Sequence, residues 1–552
     1  MIYFLLVLCF VVYIIYFLFK KSDEKILAGI RWSWGKPTGK YLNFDSIKEY
    51  ATLDQTNHFH KLTSQTLKDI DIESLFTVLN RTMTTVGQQI LYAKIIFPKI
   101  NLEELKQDDK NSDYFKAEVR KRESVQLILY RLETNGTSRI TKLLKQKDPV
   151  IGRYLLWYKI LTGLMIIGIL CSLVYPIFIV LLIGVAAVNI TVQYIFKYRN
   201  EMQYKAAGEV YALVKAATRL QKIDTIVDSA SIPGYIRSLK SFIKNYRFLN
   251  FAVQRDDLAM AVFYMLELAK ACFLLEVHRL NKLYSQIVKG RDSIKELYKY
   301  IGEFDMAISM ASLKSDANFK TCIPDLIQKN KILKSINITH PLIENCVANS
   351  LSLELKSAFI TGSNMSGKST FLRTVLINSI LAQTLYICFA ESFTSSFMKS
   401  FSSITIEDDL LRGSSYFFEE VEIIKVMTEQ ASLFENNLFI IDETFKGTNT
   451  LERISLAKAV LEFLNNNHSI VIASSHDLEL IELLSKDFEM FYFTEDIQES
   501  SLNFDHTIKE GYLKTTNAIK IIEIENYPQS IIDEANKMTM EYEAGKFMNI
   551  EK

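Results

Sequence analysis

Nine residues constrain this chain more tightly than any others: Gly362-Ser-Asn-Met-Ser-Gly367-Lys368-Ser369-Thr370. They follow the apolar run Ser357–Thr361 and open a helix-patterned stretch, Thr370–Gln383, so the local order is strand, tight loop, helix. The glycines let the backbone wrap closely, which turns its N–H groups and the helix N-terminus toward an anion. Lys368 supplies positive charge at the β- and γ-phosphates, and the Ser369 hydroxyl is placed to ligate Mg²⁺. Gly362, Asn364, Gly367, Lys368, Ser369 and Thr370 are therefore the expected ATP-binding residues.

Two further segments fit the same architecture. Leu438-Phe-Ile-Ile-Asp442-Glu443 is a buried-type strand that ends in two carboxylates. Asp442 is expected in the Mg²⁺ shell beside Ser369, and Glu443 is placed to orient or deprotonate an attacking water. Ile470-Val-Ile-Ala-Ser-Ser475-His476 is another apolar strand with a polar end, from which His476 would reach a γ-phosphate or that water. A lone histidine is more often structural, so His476 gains meaning only beside the other two segments. From about Ile336 onward, short apolar strands alternate with helical stretches, the pattern of a parallel sheet with crossover helices.

The rest of the chain poses a different question. It has 552 residues, 49% of them hydrophobic, and a mean hydropathy of +0.09. Much of that apolarity is concentrated in two blocks. Ile2–Phe19 carries no charge and is followed by Lys20, Lys21 and Lys25, which reads as an uncleaved membrane anchor. A cleaved signal peptide is the rival, but the basic start and small-residue cleavage site are missing. Ile160–Phe196 is also uncharged, and as one helix would run about 55 Å at 1.5 Å per residue. Tyr175-Pro176 near its middle predicts two helices in a hairpin. A membrane hairpin and a buried hairpin in a soluble core are the two readings. With Lys and Arg flanking both blocks, the positive-inside bias predicts a multi-pass protein of the cell membrane. It would have three spans, an outer N-terminus and its ATPase domain in the cytoplasm.

The formal net charge of +1 argues against coating nucleic acid by bulk electrostatics. It is an average, however: residues 197–335 hold 23 Lys and Arg against 14 Asp and Glu. Arg237, Lys240, Lys244 and Arg247 fall near one face of a short helix, either a solvated face or a nucleic-acid contact. EMQYKAAGEVYALVKAATRL and MLELAKACFLLEVHRLNKLY in the same region read as long amphipathic helices. Six scattered Cys without a CxxC pair exclude a disulfide framework and fit a reducing compartment.

Taken together, the segments resemble the ATPase domain of the MutS family, a relative of ABC-type ATPases. TGSNMSGKSTFLR, IIDETFKGTNT, DDLLRGSSYFFEE and SSHDLEL are each similar to a motif of that family, as are Ile338-Thr-His340-Pro341 and Ala348-Asn349 upstream. Ser74–Ile100 and Ile301–Leu313 resemble parts of its helical core and lever, and TTNAIKIIEIENYPQSIIDEA its C-terminal helical region. The resemblance implies a homodimer that sandwiches ATP, with Ser414 or Ser415 of one protomer facing the nucleotide held by the other. It also implies DNA as a partner, and ATP and Mg²⁺ as cofactors.

The fold class expected is thus an α/β P-loop NTPase of ABC/MutS type joined to an all-α lever and core domain, with transmembrane helices. The expected order is anchor 1–21, helical core 22–151, membrane hairpin 152–199, levers 200–335, ATPase domain 336–515 and dimerisation helices 516–552. Departures from the family are equally specific. A membrane span and a short segment stand where the mismatch-reading module belongs, no Phe-x-Glu wedge is visible near the N-terminus, and the hairpin interrupts the core. Cys346 stands where the family commonly has an aromatic that stacks on adenine. Two functions remain open: a membrane-anchored ATPase acting on DNA in mismatch repair or recombination, and an ATP-driven scaffold that moves a protein partner at the membrane without reading mismatches. An ABC-type transporter fits less well, because three spans are few and an LSGGQ-type signature is absent.

Overall fold

The computed structural model describes residues 22–543 except 40, 54–57, 146–154, 224, 228, 250–256, 329–330, 364–365, 406–415, 434–435, 467, 499–500, 513–517 and 525–526. The expected anchor Ile2–Phe19 lies outside the described residues, as do Asn364, Ser414 and Ser415. The chain forms two compact units. One comprises Met1–Thr56, Asn80–Ala93 and Lys110–Asp316, the other Asn57–Leu79, Lys94–Asp109 and Ala317–Lys552.

The described part of the first unit is helical. Its main helices are α1 (residues 22–33), α2 (Val119–Glu133), α3 (Leu155–Val174), α4 (Phe178–Arg199), α5 (Glu201–Leu220), α6 (Asp257–Cys272), α7 (Leu275–Lys289) and α8 (Arg291–Leu313). In α5 the buried Ala206, Val210, Leu213, Ala217 and Leu220 recur at three- and four-residue steps. This stripe packs on α8, whose Leu297, Ile301, Phe304 and Ile308 are fully or almost fully buried. Asp305 of α8 is also buried and accepts hydrogen bonds from the Met83 and Thr84 N–H groups at 2.9 and 2.8 Å and from the Thr84 hydroxyl at 2.6 Å. It thereby caps the start of the helix Thr85–Ile96. Burial raises the Asp305 carboxyl to a pKa of about 6 against these hydrogen bonds.

The hairpin forms as expected, with its break at Tyr175–Ile177. α3 and α4 pack against each other, and each is long and apolar enough to cross a membrane. Only 11% of the apolar window of each is buried, so most of the apolar surface of the pair is left uncovered. Among the described residues these are two candidate spans, where three were expected in the whole chain.

The second lever sequence departs from expectation. Instead of one long helix, residues 265–284 belong to α6 and α7, divided at Phe273–Leu274, where Leu274 takes a left-handed φ of 51°. No glycine or proline marks the break in the sequence. The hairpin supplies what a helix end lacks: Asn189 Nδ2 donates to the Cys272 carbonyl at 2.7 Å, and the Thr162 hydroxyl lies 3.3 Å from the Phe273 carbonyl and 2.9 Å from His278 Nε2. One turn further, Gln193 Nε2 donates to Glu276 Oε2 at 2.9 Å. The expected single basic helix is likewise divided, with Arg237 on Ile232–Ser238 and Lys240, Lys244 and Arg247 on Lys240–Leu249.

Among its described residues the second unit holds two larger sheets and a two-stranded antiparallel pair, β10 (Glu495–Gln498) with β11 (Ser501–Phe504). The larger has the order β12-β9-β4-β8-β7-β6, from β4 (Ser357–Thr361), β6 (Lys399–Ser403), β7 (Asn437–Asp442), β8 (Ile470–Ser474), β9 (Phe488–Tyr492) and β12 (Lys509–Glu510). All its neighbours are parallel except the edge pair β12–β9. β4 and β8 are buried at every residue, as strands covered on both faces require. Phe359, Phe401, Phe439, Val471 and Phe488 on this sheet form one core with Met427, Leu461 and Leu480 of the covering helices. At roughly 25 cal/mol per Å² of apolar area, each buried Phe contributes about 2–3 kcal/mol before entropy is counted. The smaller sheet has the order β1-β5-β2-β3, from β1 (Asp325–Ile327), β2 (Ile332–Ile338), β3 (Asn349–Glu354) and β5 (Ser392–Ser396).

Candidate nucleotide-binding site

β8 lies between β4 and β7, so three chain segments emerge side by side from the carboxyl edge of the larger sheet. The loop after β4 carries Gly362 and leads to the helix α9 (Lys368–Thr384), with Gly367 at its N-cap. Gly362 has φ 142° and a Cβ there would meet the Phe493 carbonyl oxygen at 2.5 Å; Gly367 has φ 113°. Both positions demand glycine. Lys368 Nζ folds over the loop and donates to the carbonyls of Gly362 and Ser363 at 2.6 and 2.7 Å. Ser369 and Thr370 occupy the first turn of α9.

Asp442 closes β7 and sits opposite Ser474, the last residue of β8. Its carboxylate accepts hydrogen bonds from the Ser369 hydroxyl on one oxygen and the Ser474 hydroxyl on the other. The following residue, Glu443, has φ 56°, and its N–H donates to the Ser474 carbonyl at 3.0 Å. Its two carboxylate oxygens lie 2.9 Å from His476 Nε2 and 2.7 Å from Lys446 Nζ. Burial alone would push the Glu443 carboxyl up, but the hydrogen bonds and charge of His476 and Lys446 prevail and hold it at about 2. His476 is fixed through its neighbour: Asp477 forms a two-pronged pair with Arg453 and accepts from the Ser475 hydroxyl at 3.2 Å.

Beside the loop lies a cavity of about 300 Å³, lined on one side by Gly367, Lys368 and Ser369 and on the other by Ile343, Cys346 and His506. Cys346 thus reaches the cavity wall, while its sulfur accepts from the His340 N–H at 3.3 Å. His506 Nδ1 lies 3.1 Å from the Ser366 carbonyl, and its ring stacks on Phe504. Asn349 holds that segment, donating to the His506 carbonyl at 3.0 Å and accepting from the Ile508 N–H at 2.8 Å.

The structure therefore brings Gly362, Gly367, Lys368, Ser369, Thr370, Asp442, Glu443 and His476 to one sheet edge. Ser474, Lys446 and His506 join them without having been singled out in the sequence. Ser474 carried a signal, a small polar residue ending an apolar strand beside an Asp-ending one. His506 follows a weakly patterned stretch and carried none.

The residues fit a nucleotide with Mg²⁺. The two glycines shape a loop that a Cβ would obstruct, Lys368 is a point cation within it, and Ser369 and Asp442 are adjacent hard oxygen ligands. No group of three His, Cys, Asp or Glu able to hold a metal exists among the described residues. Mg²⁺ is commonly held by one or two protein oxygens together with phosphates, the kind of donor pair that Ser369 and Asp442 offer.

Comparison with known proteins agrees with this geometry. Residues 358–543 match the family model MutS domain V. The DNA mismatch repair protein MutS of Staphylococcus aureus, in strains JH9, Newman and N315, is 28% identical over 282 residues, or 49% of this chain. That stretch is 32% of each relative, so the chain spans about a third of the length of the curated relatives it matches. The helical N-terminal region with its two long apolar helices lies outside residues 358–543, and it is through those residues that the chain is similar to the MutS family.

Proposed function

We propose that this chain binds and hydrolyses ATP with Mg²⁺ and couples the cycle to conformational change, acting on DNA in mismatch repair or recombination as a membrane-anchored homodimer. The observation that carries the reading is the convergence of Lys368, Ser369, Asp442, Glu443 and His476 on three adjacent strand ends. When bound, the nucleotide supplies the phosphoryl group and the metal a divalent charge beside it. Lys368 exchanges the carbonyls of Gly362 and Ser363 for phosphate oxygens, and Ser369 and Asp442 hold the cation. Ser474 keeps the Asp442 carboxylate turned toward Ser369. Glu443, fully ionised at neutral pH, accepts the proton of the attacking water, and His476 orients its carboxylate. His506 and Ile343 flank the base in place of the aromatic ring that Cys346 lacks. Ser414 or Ser415 would complete the site from the second protomer.

The membrane part rests on α3 and α4, which would place the nucleotide unit in the cytoplasm of a multi-pass protein. A second reading, an ATP-driven scaffold that moves a partner at the membrane, is favoured by one observation: Thr162 and Asn189 of the hairpin support the α6–α7 break in the lever region. Binding of the detergent-solubilised full chain to homoduplex, mismatched and branched DNA across a salt series separates the two. DNA action predicts affinity that falls steeply with salt. Absence of binding to every form at low salt would remove DNA and leave the scaffold.

A further inference from the structure

The helical unit contains a second cavity, of about 400 Å³. Its walls come from α1, the turn that follows it, the segment Arg81–Met83, α2 and α8. Ile26, Ile30, Trp34 and Ile308 make much of the lining apolar. Lys25 and Lys36 also line it, and no Asp or Glu is among the described lining residues. Arg81, a further lining residue, is balanced by Asp316, with its Nη2 2.9 Å from the carboxylate and both side chains almost fully buried. The wall also contains Gln126, which is 5% exposed and whose Oε1 has no hydrogen-bond partner among the described residues. A buried acceptor left unpaired costs about 1–3 kcal/mol, so the position favours a ligand that donates a hydrogen bond there.

Apolar walls, two cations without an opposing carboxylate and one buried acceptor define a ligand class. It is an anionic amphiphile with a hydroxyl: the negative group meets Lys25 and Lys36, the hydroxyl donates to Gln126, and the chain lies along Ile26, Ile30 and Trp34. Chain geometry supplies the source. Lys25 follows Phe19, the end of the uncharged run, by six residues, and six residues span at most roughly 20 Å. If that run enters a bilayer, the cavity mouth stands within reach of lipid headgroups. We infer that this cavity binds the headgroup of an anionic, hydroxyl-bearing phospholipid, a reading that rests on the membrane attachment proposed above.

The test uses the full chain in zwitterionic detergent, with dihexanoylphosphatidylglycerol, dihexanoylphosphatidylcholine and sn-glycerol 3-phosphate as probes and thermal stability and native mass as readouts. Saturable binding of the phosphatidylglycerol, at least tenfold tighter than the phosphatidylcholine and with no response to glycerol 3-phosphate, is expected. Gly29 lines the cavity and a Cβ there meets nothing within 4 Å, so Gly29→Phe should fill the space without disturbing the fold. Both Gly29→Phe and the pair Lys25→Glu, Lys36→Glu should weaken the phosphatidylglycerol at least tenfold while the protein still fractionates with membranes. Equal binding of the two lipids, or unchanged binding in Gly29→Phe, overturns the site. Glycerol 3-phosphate binding as tightly as the lipid overturns the lipid source in favour of a soluble phosphate. Wild-type protein found free of membranes would refute the attachment, whereas the short-chain lipid reads the cavity independently of it.

Discussion

Two clusters of polar side chains, at the edge of the large sheet and around the α6–α7 break, serve opposite ends. At the sheet edge, Ser369, Asp442, Ser474, Glu443 and His476 bond chiefly to one another, and Ser369 lines a cavity. At the break, Asn189 and Thr162 turn to the main-chain carbonyls of Cys272 and Phe273, groups that a helix end leaves unpaired. Place in the fold, more than the residue type, separates chemistry from architecture. Lys368 also bonds two main-chain carbonyls, but these belong to the phosphate loop, whereas the carbonyls met by Asn189 and Thr162 close a helix break.

Substitutions sharpen that contrast. The largest effect is expected for Lys368→Ala, which removes the one cation folded into the phosphate loop. ATP binding measured by equilibrium dialysis should fall below detection while thermal stability changes little. Ser474→Ala should lower turnover about tenfold with nucleotide affinity nearly kept, because Asp442 loses a bond that orients it; unchanged turnover would place Ser474 with the architectural group. On the other side, Asn189→Leu should cost about 1–3 kcal/mol of stability in detergent and leave ATP affinity as in wild type. A loss of ATP affinity in this variant would erase the distinction between the two regions.

The smallest effect concerns pH. Asp305 has a folded-state pKa of about 6, above its ordinary value near 3.8. The folded protein thus holds this proton more tightly than the unfolded chain does, so the contribution is fully present below about pH 4 and is lost as pH rises through 6. Asp305→Asn should flatten the melting temperature between pH 4.5 and 7, removing a decline of about 2–4 °C. An unaltered pH slope would reject the assignment.

Legibility in the sequence followed how local each signal was. The phosphate loop, the strand pair ending in Asp442 and Ser474, and the Pro176 break were readable because each is set by a few neighbouring residues. The division at Leu274 was not, since the left-handed residue is a leucine and its support comes from Asn189 and Thr162, far away in the chain. The smaller sheet was equally hidden: β1 has three residues, too few to show a period, and its partner β5 lies more than sixty residues later. His506 reached the cavity through Asn349, a long-range clamp that no spacing announces. Glu443 shows both sides, because its place at a strand end was legible and its pairing with Lys446 was not.

In the proposed reaction Glu443 performs the chemistry at a site assembled by the other strand ends. Steady-state ATP hydrolysis by the Glu443→Gln protein, measured beside ATP binding on the same preparation, tests it directly. Binding within a few-fold of wild type is expected, with turnover reduced by about 10²-fold or more, the range for loss of a general base. Hydrolysis at the wild-type rate with binding intact would contradict it.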